Sequence, residues 1–124
     1  MAVRIRFTVD GAAYHAALLE NPLAEKIAAM CPFTLDYTRS GEHEYYASLP
    51  EKAAATGCDS TTRGHRNGLY FFEGWNALSL VFRDCDTAPF KIHHVGNFEG
   101  DISAALENMG GSIRILCEAE LGGK

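Results

Sequence analysis

The sequence has no Cys-x-x-Cys pair, no block of basic residues, no low-complexity tract, no internal repeat and no apolar run long enough to cross a bilayer. Each absence removes a class of protein. Its four cysteines, Cys31, Cys58, Cys85 and Cys117, are widely scattered. That spacing speaks against a zinc knuckle or a thioredoxin-type redox pair and reads as reduced, structural thiols. Basic residues number 11 against 16 acidic ones, a formal charge of −5. Nucleic acids and acidic membranes are recognised by clustered Lys and Arg, so neither is an expected partner. The segment Met1–Phe7 alternates charged and apolar residues. It therefore reads as neither a signal peptide nor a membrane anchor, and a cytoplasmic location is the expectation.

What is present is a chain of 124 residues, 47% of them apolar, enough for one domain of ordinary size to bury a core without disulfides or metal. The expected domain is 1–121, with 122–124 as a frayed tail. Val3, Ile5, Phe7 and Val9 alternate with Arg4, Arg6 and Thr8, the pattern of a half-buried strand, and Asp10-Gly11 is a hairpin turn leading to a second strand over 12–19. Asn21-Pro22 is a cap followed by proline at the first helical position. Leu23, Ile27 and Met30 then recur at helical spacing until Pro32, which predicts a helix over 21–30.

Period two returns at Phe33, Leu35 and Tyr37, and Ser40-Gly41 turns the chain into a strand over 44–49. Residues 50–67 show no period and read as one long surface loop, of a length that is often functional. Leu69–Phe72 and Leu78–Phe82, joined at Gly74-Trp75-Asn76, form a near-continuously apolar hairpin, hence central. A short strand over 91–95 follows. A helix over 101–109, capped by Asp101 and stopped by Gly110-Gly111, leads to a last strand over 112–118.

Short strands joined as hairpins, with helices at two separated points, predict a mainly β fold: a closed antiparallel barrel with two short helices. The order of motifs is similar to that of the small bacterial cyclophilin-like domain family. The residues that carry the resemblance are Asn21-Pro22, Cys31-Pro32-Phe33, Tyr45–Pro50, Gly68–Phe71, Ala77–Phe82 and Val95-Gly96. The resemblance spans nearly the whole chain and implies a barrel of about eight antiparallel strands closed at its ends by two helices. It also implies that an activity, if present, would be peptidyl-prolyl cis-trans isomerisation. Cyclophilins rely for this on an arginine after Phe-His, a Gln-Gly-Gly-Asp segment and an aromatic groove. Neither Phe-His-Arg nor Gln-Gly-Gly-Asp occurs here.

Prolyl isomerisation needs no proton transfer or covalent step, only a pocket that favours the twisted amide and a cation or donor beside it. Two arginines are catalytic candidates on paper: Arg39, beside Tyr45 and Tyr46, and Arg63, facing Tyr70. Each also reads as a solvated side chain. Arg39, Tyr45, Tyr46, Tyr70 and Trp75 are the candidate ligand-binding residues, with Trp75 serving either a binding surface or the cap of a barrel end. His93 and His94, as strand neighbours, point to opposite faces, and His15, His43 and His65 are scattered, so no metal site is predicted. Cys58, seven positions before His65, is a weak nucleophile candidate, and Ser60–Gly64 lacks the ending of a phosphate loop.

The expected function is a binding module without a cofactor, taking a small molecule or short peptide in an outer groove bordered by residues 50–67. The isomerase is the alternative. A homodimer formed through an exposed edge or the aromatic hairpin is the third reading.

Overall fold

The alternation at the start of the chain becomes the first barrel strand. In the computed structural model, which describes residues 3–55 and 57–121, β1 (Val3–Val9) turns Ile5, Phe7 and Val9 inward, each at most 2% exposed. Asp10 and Gly11 both take positive φ, at 50° and 83°. A two-residue hairpin loop matching the strand twist requires this, and Asp-Gly tolerates it. The chain returns as β2 (Ala12–Leu18). Helix α1 (Pro22–Met30) is capped by Asn21, whose Oδ1 accepts from the Ala24 amide at 2.8 Å, and it buries Leu23, Ala24, Ile27 and Met30. Next come β3 (Phe33–Ser40) and β4 (Glu44–Ser48), then the two-residue β5 (Arg63–Gly64). β6 (Gly68–Phe72) and β7 (Ala77–Val81) are joined by a 3-10 turn over Glu73–Trp75. The chain ends with β8 (Cys85–Asp86), β9 (His93–Phe98), α2 (Ile102–Leu106) and β10 (Ser112–Leu121).

Eight of these strands close into an antiparallel barrel in the order β1-β10-β3-β4-β7-β6-β9-β2, while β5 and β8 pair separately. A barrel of this size is filled by its own side chains. Phe7, Tyr37, Tyr45, Leu69, Phe71, Leu78, Leu80 and Ile115 occupy it, all fully buried. The helices sit at opposite ends of β3. α1 enters it through Cys31 and Pro32, and the loop after α2 meets its far end, where the Arg39 amide donates to the Gly111 carbonyl at 2.9 Å. The expected mainly β barrel with two helices is what forms. The expected tail, 122–124, lies outside the described residues.

Four local expectations are corrected. Residues 50–67 are not one surface loop. Ala53 and Ala55 are buried, their amides donating to Asn76 Oδ1 and Glu73 Oε2, and Arg63–Gly64 is a strand paired with Cys85–Asp86. These are long-range contacts, so local periodicity carries no trace of them. The second helix is also shorter than 101–109, ending at Leu106 where the amides of Asn108 and Met109 bond three residues back and the chain turns, and Asp101 caps it with no side-chain bond but sits on Arg66, with both oxygens 3.0 Å from Nη2. Its first-turn donor is taken from a distance, the Ser103 amide donating to Asn67 Oδ1 at 3.0 Å. β9 runs over 93–98 rather than 91–95. Gly96 lies within the strand because a Cβ there would stand 2.7 Å from the Ala17 carbonyl oxygen of neighbouring β2. Finally, β10 extends to Leu121, beyond 118, because its residues 115–121 pair with all of β1.

Candidate functional site

Strand alternation assigns the inward and outward faces of the wall made by β4, β7 and β6. Tyr45, Ala47, Leu78, Leu80, Leu69 and Phe71 turn in, whereas Glu44, Tyr46, Ala77, Ser79, Tyr70 and Phe72 turn out. The outward residues do not simply face water. β5, β8 and the segments flanking them lie over part of this face as a flap, held together by paired bonds between Thr61 and Ile92 at 2.8 Å. Beneath it Tyr70, Val81 and Ile92 form a second, smaller apolar core outside the barrel. Gly64 permits the close approach, since a Cβ there would meet Cys85 Sγ at 2.9 Å and Val81 Cγ2 at 3.4 Å. The Tyr70 hydroxyl accepts from the His65 amide at 3.0 Å, and burial pushes its phenol up from the ordinary value.

Where the flap stops, a groove of about 320 Å³ remains on the outer wall. Its floor is Ala77, Ser79 and Glu44, and its sides carry Tyr46, Phe72, Trp75 and Phe90. The rings form a continuous chain: Tyr46 to Trp75 at 5.5 Å between centroids, Trp75 to Phe72 at 5.3 Å, Phe72 to Phe90 at 5.9 Å. Trp75 and Phe90 remain 61% and 60% exposed despite these contacts. Trp75 is aimed by its backbone. Its carbonyl accepts from Ser48 Oγ at 3.1 Å, and Asn76, in the left-handed region at φ 51°, ends the turn and accepts the Ala53 amide. Within the groove Glu44 Oε1 accepts from the Ser79 hydroxyl at 2.8 Å, and its Oε2 is 3.3 Å from His43 Nε2.

The structure divides the six sequence candidates among three places. Tyr46 and Trp75 meet in the groove. Tyr70 and Arg63 line a separate depression of about 430 Å³, shared with His65 and His94, behind the flap. There His94 stacks on the Tyr70 ring at 4.9 Å, and Arg63 leans outward toward Asp86 at 3.8 Å, largely in solvent. Tyr45 is fully buried, and Arg39, its partner in the β3–β4 register, turns to the same inward side.

Arg39 is neither a solvated strand end nor a groove residue. Its Nη1 lies 3.2–3.3 Å from the carbonyls of Leu106, Glu107 and Met109 and from the Tyr45 hydroxyl, and the guanidinium stacks 4.7 Å above the Phe82 ring. Four acceptors share two hydrogens, so the side chain pins the C-terminal end of α2 over the barrel mouth.

Sequence reasoning missed Phe90, Glu44, His43 and Ser79. Outward parity with Tyr46 would have found Glu44, and the small residues Ala77 and Ser79 mark the floor on the same argument. Phe90 lay in a segment read only as a connection. Burial pushes the Cys31 and Cys117 thiols up to about 11 and about 12, so neither is a ready nucleophile. All four cysteines are free, and Cys58 packs against the core. Among the described residues no three His, Cys, Asp or Glu side chains are grouped to hold a metal ion, and no helix is long and apolar enough to cross a membrane.

Comparison with known proteins agrees with this architecture. The solution structure of the hypothetical protein AF2241 from Archaeoglobus fulgidus superposes with a TM-score of 0.72 over 94% of each chain at 15% identity, a likeness of fold. No curated protein matches the sequence. A family model described as the cyclophilin-like family matches residues 7–118, nearly the whole barrel. The chain belongs to the cyclophilin-like family.

Proposed function

We propose that this protein is a binding module whose outer groove, between the β4–β7–β6 wall and the flap, takes a small molecule or a short peptide segment. One observation carries the reading: two large rings, Trp75 and Phe90, stand 61% and 60% exposed on the same groove, over a floor of small side chains. Isolated exposed apolar residues are ordinary, but a contiguous aromatic patch in a concavity is what ligand sites present. A volume of about 320 Å³ sits at the lower end of small-molecule sites. A ligand-detected NMR and thermal-shift screen tests it. Saturable binders that are lost on Trp75→Ala and Phe90→Ala support the reading, and a screen with no saturable binder overturns it.

Family membership favours the isomerase as the second reading. The lining side chains that could donate to a twisted amide are Ser40, His43, Tyr46 and the Trp75 indole, since the Ser79 hydroxyl already donates to Glu44, and no guanidinium is among them. Exchange spectroscopy on Xaa-Pro peptides separates the two readings, since a pure binding module leaves the exchange rate unchanged at high protein concentration. A homodimer could not form through a free barrel edge, because each barrel strand already pairs with two neighbours, which leaves the aromatic hairpin as the surface for that reading. Light scattering decides that point.

A further inference from the structure

We propose that the ligand of this groove is a small organic cation, an amine or quaternary ammonium carrying an apolar group. The inference rests on the binding-module reading and specifies its chemistry. Four aromatic rings form one connected wall, Tyr46, Trp75, Phe72 and Phe90, in which Trp75 and Phe90 are the most open, and the quadrupole of an exposed ring face attracts a cation. At their foot lies the Glu44 carboxylate, whose side chain is 21% exposed. It takes one hydroxyl bond from Ser79 and a looser contact from His43. A carboxylate has about four acceptor positions, so positions remain for a donor from the ligand. Asp86 adds a second carboxylate at the flap edge, with Arg63 3.8 Å away from it. No lysine or arginine lines the groove.

These charges rank the three classes of occupant. An anion would face two carboxylates, with no lysine or arginine lining the groove to offset them. A neutral aromatic ligand would gain the rings but cover Glu44 without replacing the water it loses, which is a net cost. A cation gains the rings and compensates the carboxylate together. The groove's small volume favours a free small molecule over the lysine of a folded partner.

Trp75 is the only tryptophan in the chain, so its fluorescence reports the groove directly. The experiment titrates the protein with benzyltrimethylammonium, benzyl alcohol, phenylacetate and a capped tetrapeptide containing one lysine. The expected result is saturable quenching by the ammonium at an affinity at least about 10-fold above that of the alcohol. Phenylacetate should be weaker still and the peptide weaker than the free cation. Glu44→Gln, which keeps the bond from Ser79, should reduce the ammonium's advantage to within about 3-fold while leaving the alcohol unchanged. Equal affinity for the ammonium and the alcohol overturns the cation assignment and leaves the groove a binding site. No saturable response to any of the four overturns both, and a peptide that binds more tightly than the free cation overturns the small-molecule source.

Discussion

Tyr70→Ala should detach the flap without unfolding the barrel. The Tyr70 ring is 1% exposed, and its neighbours in the outer core are Val81 and Ile92. A buried aromatic side chain removes roughly 150–250 Å² from water, so at about 25 cal/mol per Å² its loss is worth roughly 4–6 kcal/mol as an upper bound. Ring-to-alanine truncations in cores cost about 3–5 kcal/mol. The hydroxyl adds to this, because the His65 amide loses its acceptor. What remains beneath the flap is chiefly Ile92, worth about 1.5–3 kcal/mol when buried. The free energy of flap opening should therefore fall by about 3 kcal/mol, which speeds hydrogen exchange at flap amides by about two orders of magnitude. The amides to follow are Thr61, Thr87 and Ile92, which bond across the flap. Amides in β1 and β10, on the opposite side of the ring, should change far less, since Leu69, Phe71, Leu78 and Leu80 still fill the interior. Tyr70→Phe should keep the packing and cost only about 1 kcal/mol. Equal loss of protection in flap and barrel, or no loss in either, would refute the description of two separate cores.

Removing Arg39 as Arg39→Ala should lower Tm by at least about 5 °C, measured by calorimetry, because three helix-end carbonyls and the Tyr45 hydroxyl lose their donor. The same substitution should leave groove ligands bound as before, whereas Arg63→Ala should leave Tm nearly unchanged, its pair with Asp86 being long and solvated. Alkaline pH should destabilise the fold through Cys117, which burial pushes from its ordinary value near 9 up to about 12. The native state holds this proton more tightly than the unfolded chain, so the contribution is complete below pH 9 and is lost as pH rises toward 12. The slope for one such group is at most about 1.4 kcal/mol per pH unit. Cys117→Ala should flatten that limb in denaturant titrations at successive pH values, and an unchanged limb would count against the assignment.

The barrel was legible because its determinants are local. Alternation at Val3–Val9, Asp10-Gly11 at positive φ, the Asn21-Pro22 helix start and the apolar Leu69–Phe72 hairpin each encode their element within a few residues. The flap was not legible, because its strands are two residues long and are defined by pairing Arg63–Gly64 with Cys85–Asp86 across the chain. The surroundings of Arg39 were hidden for a related reason. Its neighbours Thr38 and Ser40 say nothing of the Leu106, Glu107 and Met109 carbonyls that gather around it. Half of the groove was within reach: Trp75 at a turn tip and Tyr46 on an outward position were readable, while Phe90 arrives with the flap.

The central claim is that ligands bind in the outer groove, and mapping the shifts of backbone amides and aromatic side chains by NMR during a titration with a screened binder tests it most directly. The account predicts saturable shifts concentrated at Tyr46, Phe72, Trp75, Ser79 and Phe90, with Arg39 and Tyr45 unmoved. Shifts centred on Arg63, His65, Tyr70 and His94, or on the barrel mouth around Arg39, would contradict it.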